Sequence, residues 1–127
     1  MPTILLVEDN ELSRDALARR LERRGYDVVL AVDGEQAVAI GRERLPDLIL
    51  MDLGLPLVDG WEATRLLKAD HATRRIPIIV LSAHAMTDDR DNALAAGADD
   101  FDSKPVRFQQ LLTKVATLID RATPGHP

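Results

Sequence analysis

The stretch Leu48-Ile49-Leu50-Met51 is an uninterrupted apolar run that stops at a carboxylate, Asp52, between Pro46-Asp47 on one side and Gly54 and Pro56 on the other. A run this short, apolar throughout and fenced by turn residues, suits a strand covered on both faces, the situation of a central strand in a parallel sheet. Parallel neighbours need long crossovers, so the rest of the chain must supply helices to make them. Ligand chemistry in such sheets gathers at the carboxyl ends of the strands. Taken alone, Asp52 reads more readily as an exposed loop acid that follows a strand. The other strand ends change that reading.

The chain alternates as the central strand requires. Ile4-Leu5-Leu6-Val7 runs into Glu8-Asp9-Asn10, after which Leu12, Ala16, Leu17 and Leu21 mark the inner face of a helix that Gly25 stops. A second strand spans Tyr26 to Val32, and Asp33-Gly34 turns into a helix with Ala37, Val38 and Gly41 inside. Behind the central strand, Asp59-Gly60 opens a helix with Ala63, Leu66 and Leu67 on its inner face, fraying near Asp70-His71. Trp61, at its start, reads as a partly buried anchor. Pro77 opens a fourth strand, Ile78-Ile79-Val80-Leu81, which reaches Ser82; Thr87 reads as the N-cap of a helix ending at Gly97. A short fifth strand from Asp99 to Asp102 leads to Ser103-Lys104-Pro105 and a last helix with Phe108, Leu111, Leu112, Val115 and Ile119 inside. Five strand-helix units with right-handed crossovers predict an α/β fold, a doubly wound parallel sheet with helices on both faces.

Composition narrows the chemistry. At 127 residues the chain has room for one domain, and no apolar run approaches the ~20 residues of a membrane span. The start carries no signal-peptide pattern, so a cytoplasmic, non-membrane protein is expected. With no cysteine and three scattered histidines, thiol chemistry and cysteine-bound zinc are excluded and any metal should be oxygen-bound. A net charge of -5 argues against a nucleic-acid surface, and the arginine pairs Arg19-Arg20 and Arg23-Arg24 read as solvated helix faces.

In this architecture the strand ends converge whatever their separation in sequence. They bring together Glu8 and Asp9, Asp52, Ser82 and Lys104. Like charges ~4 Å apart repel by about 4 kcal/mol at an effective dielectric near 20, so such a cluster calls for a cation. Mg2+ suits it, because that ion takes oxygen ligands and binds through one or two carboxylates together with phosphate. A lysine and a hydroxyl opposite would hold phosphoryl oxygens, with the central Asp52 as nucleophile. Helix capping by Glu8-Asp9, with Lys104 as a surface partner, accounts for two of the acids but not for the coincidence of the strand ends.

These residues resemble the receiver domain of two-component response regulators. The motifs stand as ILLVEDNE, LILMDLGLPLVDG, IIVLSA and AAGADDFDSKP; each is weak alone, and together in this order they are specific. The resemblance, from about Thr3 to Asp120, implies a flavodoxin-like, five-stranded sheet of order 2-1-3-4-5. It implies phosphorylation at Asp52, magnesium held by Glu8, Asp9, Asp52 and the Gly54 carbonyl, and phosphoryl oxygens held by Ser82, Ala83 and Lys104. It also implies a switch through Ser82 and Phe101, although Phe101 reads equally as a core aromatic, and a cis bond at Pro105. Gly54, Leu57 and Phe101 depart from the residues more usual in relatives; none removes an acceptor, ligand or ammonium group, but Phe101 lacks a tyrosine hydroxyl.

The expected function is thus a stand-alone receiver, residues 1–121 with a disordered tail at 122–127. It would accept a phosphoryl group from a histidine kinase or histidine phosphotransfer protein and signal to a downstream effector protein through helix 4, strand 5 and helix 5. Self-phosphorylation and self-dephosphorylation would be its only turnover. Two alternatives belong to other classes. A magnesium-dependent phosphatase with an aspartate nucleophile would want an acid where Gly54 stands, and a non-phosphorylated binding module would be marked by loss of Asp52 or Lys104, both of which are present.

Overall fold

The computed structural model describes residues 1–53, 59–82 and 87–122. Its elements alternate without exception: β1 (Thr3–Val7), α1 (Glu11–Glu22), β2 (Asp27–Ala31), α2 (Gly34–Arg44), β3 (Leu48–Asp52), α3 (Gly60–Ala69), β4 (Ile78–Ser82), α4 (Thr87–Ala95), β5 (Asp100–Ser103) and α5 (Phe108–Ala122). The strands pair in parallel in the order β2-β1-β3-β4-β5, the expected doubly wound sheet. β3 and β4 are buried at every position, which is why both read as continuous apolar runs.

Alternation along the strands divides the core in two. Leu5, Val7, Ile49, Met51, Ile78 and Val80 face Ala37 and Val38 of α2, Ala63 and Leu67 of α3, and Ala93 of α4. Ile4, Leu6, Leu48, Leu50, Ile79 and Leu81 face Ala18 and Leu21 of α1 and Phe108, Leu111 and Val115 of α5. Trp61 and Phe101 are half-buried against the first of these layers.

Some expected packing is corrected. Leu12 is 83% exposed and Ala16 is also exposed, so α1 seats on Leu17, Ala18 and Leu21 instead. The stripe containing Ala18 competes with the one containing Leu12, and the helix's first turn starts beyond the end of β1. Leu66 is 38% exposed, because Gly60, Ala63, Thr64 and Leu67 form the buried i, i+3, i+4, i+7 face of α3. Arg20 is not simply a solvated charge; its guanidinium lies 4.0 Å from the Phe108 ring centroid, with that of Arg24 at 5.9 Å. The second and fifth strands each differ from expectation by one residue at both ends. α4 opens at Thr87, whose side chain falls outside the description; of the tail expected at 122–127, Ala122 belongs to α5 and residues 123–127 lie outside the described residues.

The helices start where side chains cap them: Asn10, Asp33 and Asp59 accept from the backbone N–H of Ser13, Gln36 and Glu62. At the opposite edge of the sheet, Lys68 closes α3. Its ammonium donates to the carbonyls of Arg74 (3.2 Å) and Ile76 (2.8 Å) and to Asp99 Oδ2 (2.7 Å), which also accepts from Ile78 N–H at 2.9 Å.

Leu50 has no exposed surface and sits mid-sheet in β3. Leu50→Ala should lower stability by about 2–5 kcal/mol, read as a lower urea midpoint with an unchanged slope.

Candidate functional site

Each candidate side chain is placed by a strand end that the sheet itself pins. Glu8 follows β1 and donates its N–H to Ala31 O at 3.0 Å; Leu53, next to Asp52, donates to Leu81 O at 3.1 Å; Lys104 follows β5 and donates to Ser82 O at 2.8 Å. These bonds extend the parallel ladder past the strands and fix the backbone from which the functional groups project. The Lys104–Pro105 peptide bond is cis.

The side chains meet at the carboxyl edge of β1, β3 and β5. Lys104 Nζ lies 2.8 Å from Glu8 Oε1 and 3.1 Å from Asp52 Oδ1. Glu8, Asp9 and Asp52 each offer a carboxylate oxygen, and these oxygens lie within 4.8 Å of one another. Glu8 and Asp52 are each 6% exposed, while Asp9 is open to solvent. Ser82, 3% exposed, ends the neighbouring β4. Phe101 lies beside Val80 in the β4–β5 register. Gly54 and Ala83 lie outside the described residues. The donor set fits a hard divalent cation, since it is all oxygen, acidic and open on the Asp9 side.

Burial and crowding perturb the charges. The Glu8 carboxyl is pushed up to about 7, first by burial and then by the neighbouring Asp52, with Lys104 pulling it back. Burial works against the Lys104 charge, but the bonds and charges of Glu8 and Asp52 together outweigh it and hold that ammonium above its ordinary pKa.

Supporting residues carried weaker sequence signals. Arg14 Nη1 donates to the Glu8 carbonyl at 3.2 Å, tying α1 to the acidic loop, yet an arginine on a helix ordinarily reads as a solvated charge. Asn10 Oδ1 accepts from Ser13 N–H at 2.9 Å and sets where α1 begins; an Asn between an acidic strand end and a helix is a legible cap. Beside the acids a groove of roughly 530 Å³ runs between α1 and the β5–α5 connection, lined by Leu6, Ala16, Leu17, Arg20, Pro105 and Val106 among others.

The comparisons with known proteins fall on this geometry. The family model of the response regulator receiver domain matches residues 4–116. The chain belongs to that family. It is 38% identical over 121 residues to the DNA-binding dual master transcriptional regulator RpaA of Synechocystis sp., covering 95% of this chain and 50% of RpaA. It is 35% identical over 120 residues to the polar-differentiation response regulator DivK of Brucella anthropi, covering 94% and 98% of the two chains. The chain therefore spans about half the length of RpaA and nearly all of DivK. Among solved structures, the receiver domain of a sensor histidine kinase from Pseudomonas aeruginosa PAO1 superposes with a TM-score of 0.87 at 42% identity, over 93% of this chain and 97% of that one. That neighbour has a magnesium ion coordinated in its active site cleft. Among the described residues no helix is long and apolar enough to cross a membrane.

A pH dependence follows from Glu8. With its folded pKa raised from an ordinary 4.5 to about 7, the folded state binds the extra proton between those values. Stability of the metal-free receiver should therefore fall as pH rises through that window. Glu8→Gln should flatten the slope, as urea unfolding at both ends of the window would show.

Proposed function

We propose that this receiver accepts a phosphoryl group on Asp52 from a phosphohistidine donor, a histidine kinase or histidine phosphotransfer protein, in a magnesium-dependent reaction inside the cell. The observation that carries this reading is the Lys104 ammonium 3.1 Å from Asp52 Oδ1, within an acidic cluster at the end of the central strand. An Asp52 oxygen attacks phosphorus, the phosphorus–nitrogen bond of the donor breaks, and the imidazole takes its electron pair and a proton. Lys104 stays beside the new acyl phosphate and balances its charge. Hydrolysis returns the Asp52 carboxylate and inorganic phosphate.

Glu8, Asp9 and Asp52, with the carbonyl of Gly54, are the residues that would hold magnesium. When bound, the ion would offset the negative charge that the carboxylates and the incoming phosphoryl group bring together. Ser82 and the Ala83 N–H would take phosphoryl oxygens opposite Lys104. The donor must approach over the surface that flanks Asp52. The apolar groove along α1, which Asp52 itself helps to line, gives it an apolar landing there. The signal would then pass from Ser82 to Phe101 across the β4–β5 pair and out to an effector protein through α4, β5 and α5.

Wild-type protein incubated with acetyl phosphate and magnesium should gain one phosphoryl mass by intact-mass spectrometry, and Asp52→Asn should gain none. Equal labelling of the two would defeat the assignment.

The switch has its own readout in Trp61, the one tryptophan of the chain, packed in the same core layer as Phe101. Phosphorylation should change its fluorescence in the wild type. Ser82→Ala should still take the phosphoryl mass yet show a smaller change, and an undiminished change would remove Ser82 from the relay.

A further inference from the structure

The first turn of α3 is seated on the peptide that carries the acceptor. A Cβ built on Gly60 would collide with the Asp52 carbonyl oxygen and lie 2.9 Å from Leu53 Cα and 3.1 Å from Asp52 C. All three are backbone atoms, and non-bonded carbon atoms settle at about 3.5–4.0 Å, so a side chain here must displace either the helix or the Asp52 peptide.

The helix is poorly placed to give way. At its near end the Thr64 hydroxyl, fully buried, donates to Gly60 O at 2.7 Å, and Asp59 caps the turn through Glu62 N–H at 2.8 Å. At its far end the Lys68 ammonium holds two carbonyls and Asp99, and the Thr73 hydroxyl donates to Leu67 O at 2.6 Å. Just past its last residue the C-cap Asp70 pairs with Arg42 of α2 at 2.6 Å. Movement forced at Gly60 therefore falls on the strand end, where Asp52 Oδ1 lies 3.1 Å from Lys104.

We infer that Gly60 is a positioning residue for Asp52: its missing side chain lets α3 press directly on the acceptor's backbone and fix where the carboxylate stands between Lys104 and the acids of β1. This rests on the reading of Asp52 as phosphoryl acceptor and extends it to the helix behind it. Displacement of a reacting group by about 1 Å costs on the order of 100-fold in rate. Disturbing what orients a metal ligand costs about 10–100-fold in affinity.

Gly41 supplies the control, because its Cβ would meet only side-chain atoms, the nearer being Leu67 Cδ2 at 2.9 Å. That substitution crowds the same helix from α2 without touching the Asp52 backbone. Labelling by phosphoramidate, magnesium affinity by calorimetry and stability in urea would be measured for wild type, Gly60→Ala and Gly41→Ala. Gly60→Ala should slow labelling by about 10–100-fold and weaken magnesium binding by at least about tenfold. Gly41→Ala should alter stability and leave both other quantities at wild-type values. Thr64→Val and Thr64→Ser, measured alongside, cover the case in which Gly60→Ala does not fold: Val, lacking the hydroxyl, should slow labelling, and Ser should restore it.

A folded Gly60→Ala protein with wild-type labelling and magnesium affinity would overturn the inference, as would Gly41→Ala slowing labelling as much. Identical rates in Thr64→Val and Thr64→Ser would do the same. Failure of the wild type to be labelled on Asp52 would defeat the underlying reading of the acceptor instead.

Discussion

The Lys104 ammonium, 2.8 Å from Glu8 and 3.1 Å from Asp52, is the contact around which this structure is arranged. Two carboxylates buried at one sheet edge repel each other and lose their hydration, and a third acid stands within reach. A fixed positive charge between them makes the edge tolerable without neutralising it, since three acids face one ammonium. The remaining negative charge suits a hard cation. On the proposed function the same lysine would also balance the charge of a phosphoryl group on Asp52, so that a structural and a chemical role would coincide in one side chain.

Such a cluster needs a rigid frame, because charge pairs only a few ångströms apart respond steeply to distance. The frame is mostly backbone. Ladder bonds continue past β1, β3 and β5 and hold Glu8, Leu53 and Lys104, while Arg14 ties the Glu8 carbonyl to α1. Behind the central strand α3 leans on the Asp52 peptide, anchored at its far end by Lys68. None of these supports is itself a reactive group. They turn a set of acids and an amine into a site with defined distances.

Much of this was legible in the sequence, for identifiable reasons. β3 and β4 announced themselves because burial on both faces leaves no polar position within the run before its terminal Asp52 or Ser82. The meeting of Glu8, Asp52 and Lys104 followed from topology, since parallel strands joined by right-handed crossovers bring their carboxyl ends to one edge. Helix faces were harder. α1 offers two overlapping apolar stripes, and only the packed sheet selects Ala18 over Leu12. Leu66 was misplaced for the same reason, because Gly60 and Thr64 do not look like core residues although they form the buried face of α3. Gly60 was visible as a helix start next to Asp59, but its close approach to Asp52 depends on how the helix returns across the strand. Arg20 reads as solvated from composition alone, and its stacking on Phe108 joins positions 88 residues apart in the chain.

The pairing of Glu8 with Lys104 spans 96 residues, and this has a bearing on how the protein comes into being. A chain emerging from a ribosome folds from its amino end, and contacts so distant in sequence close late. Until β5 takes its place at the sheet edge, Glu8, Asp9 and Asp52 have no Lys104 among them. A growing chain that has made β1 to β4 therefore carries Asp52 and the acids that follow β1 but lacks the ammonium. The Lys104 charge joins the acids only with β5, so that, on the proposed reading of Asp52, an incomplete nascent receiver would be a poor target for phosphoryl donors while synthesis is still under way.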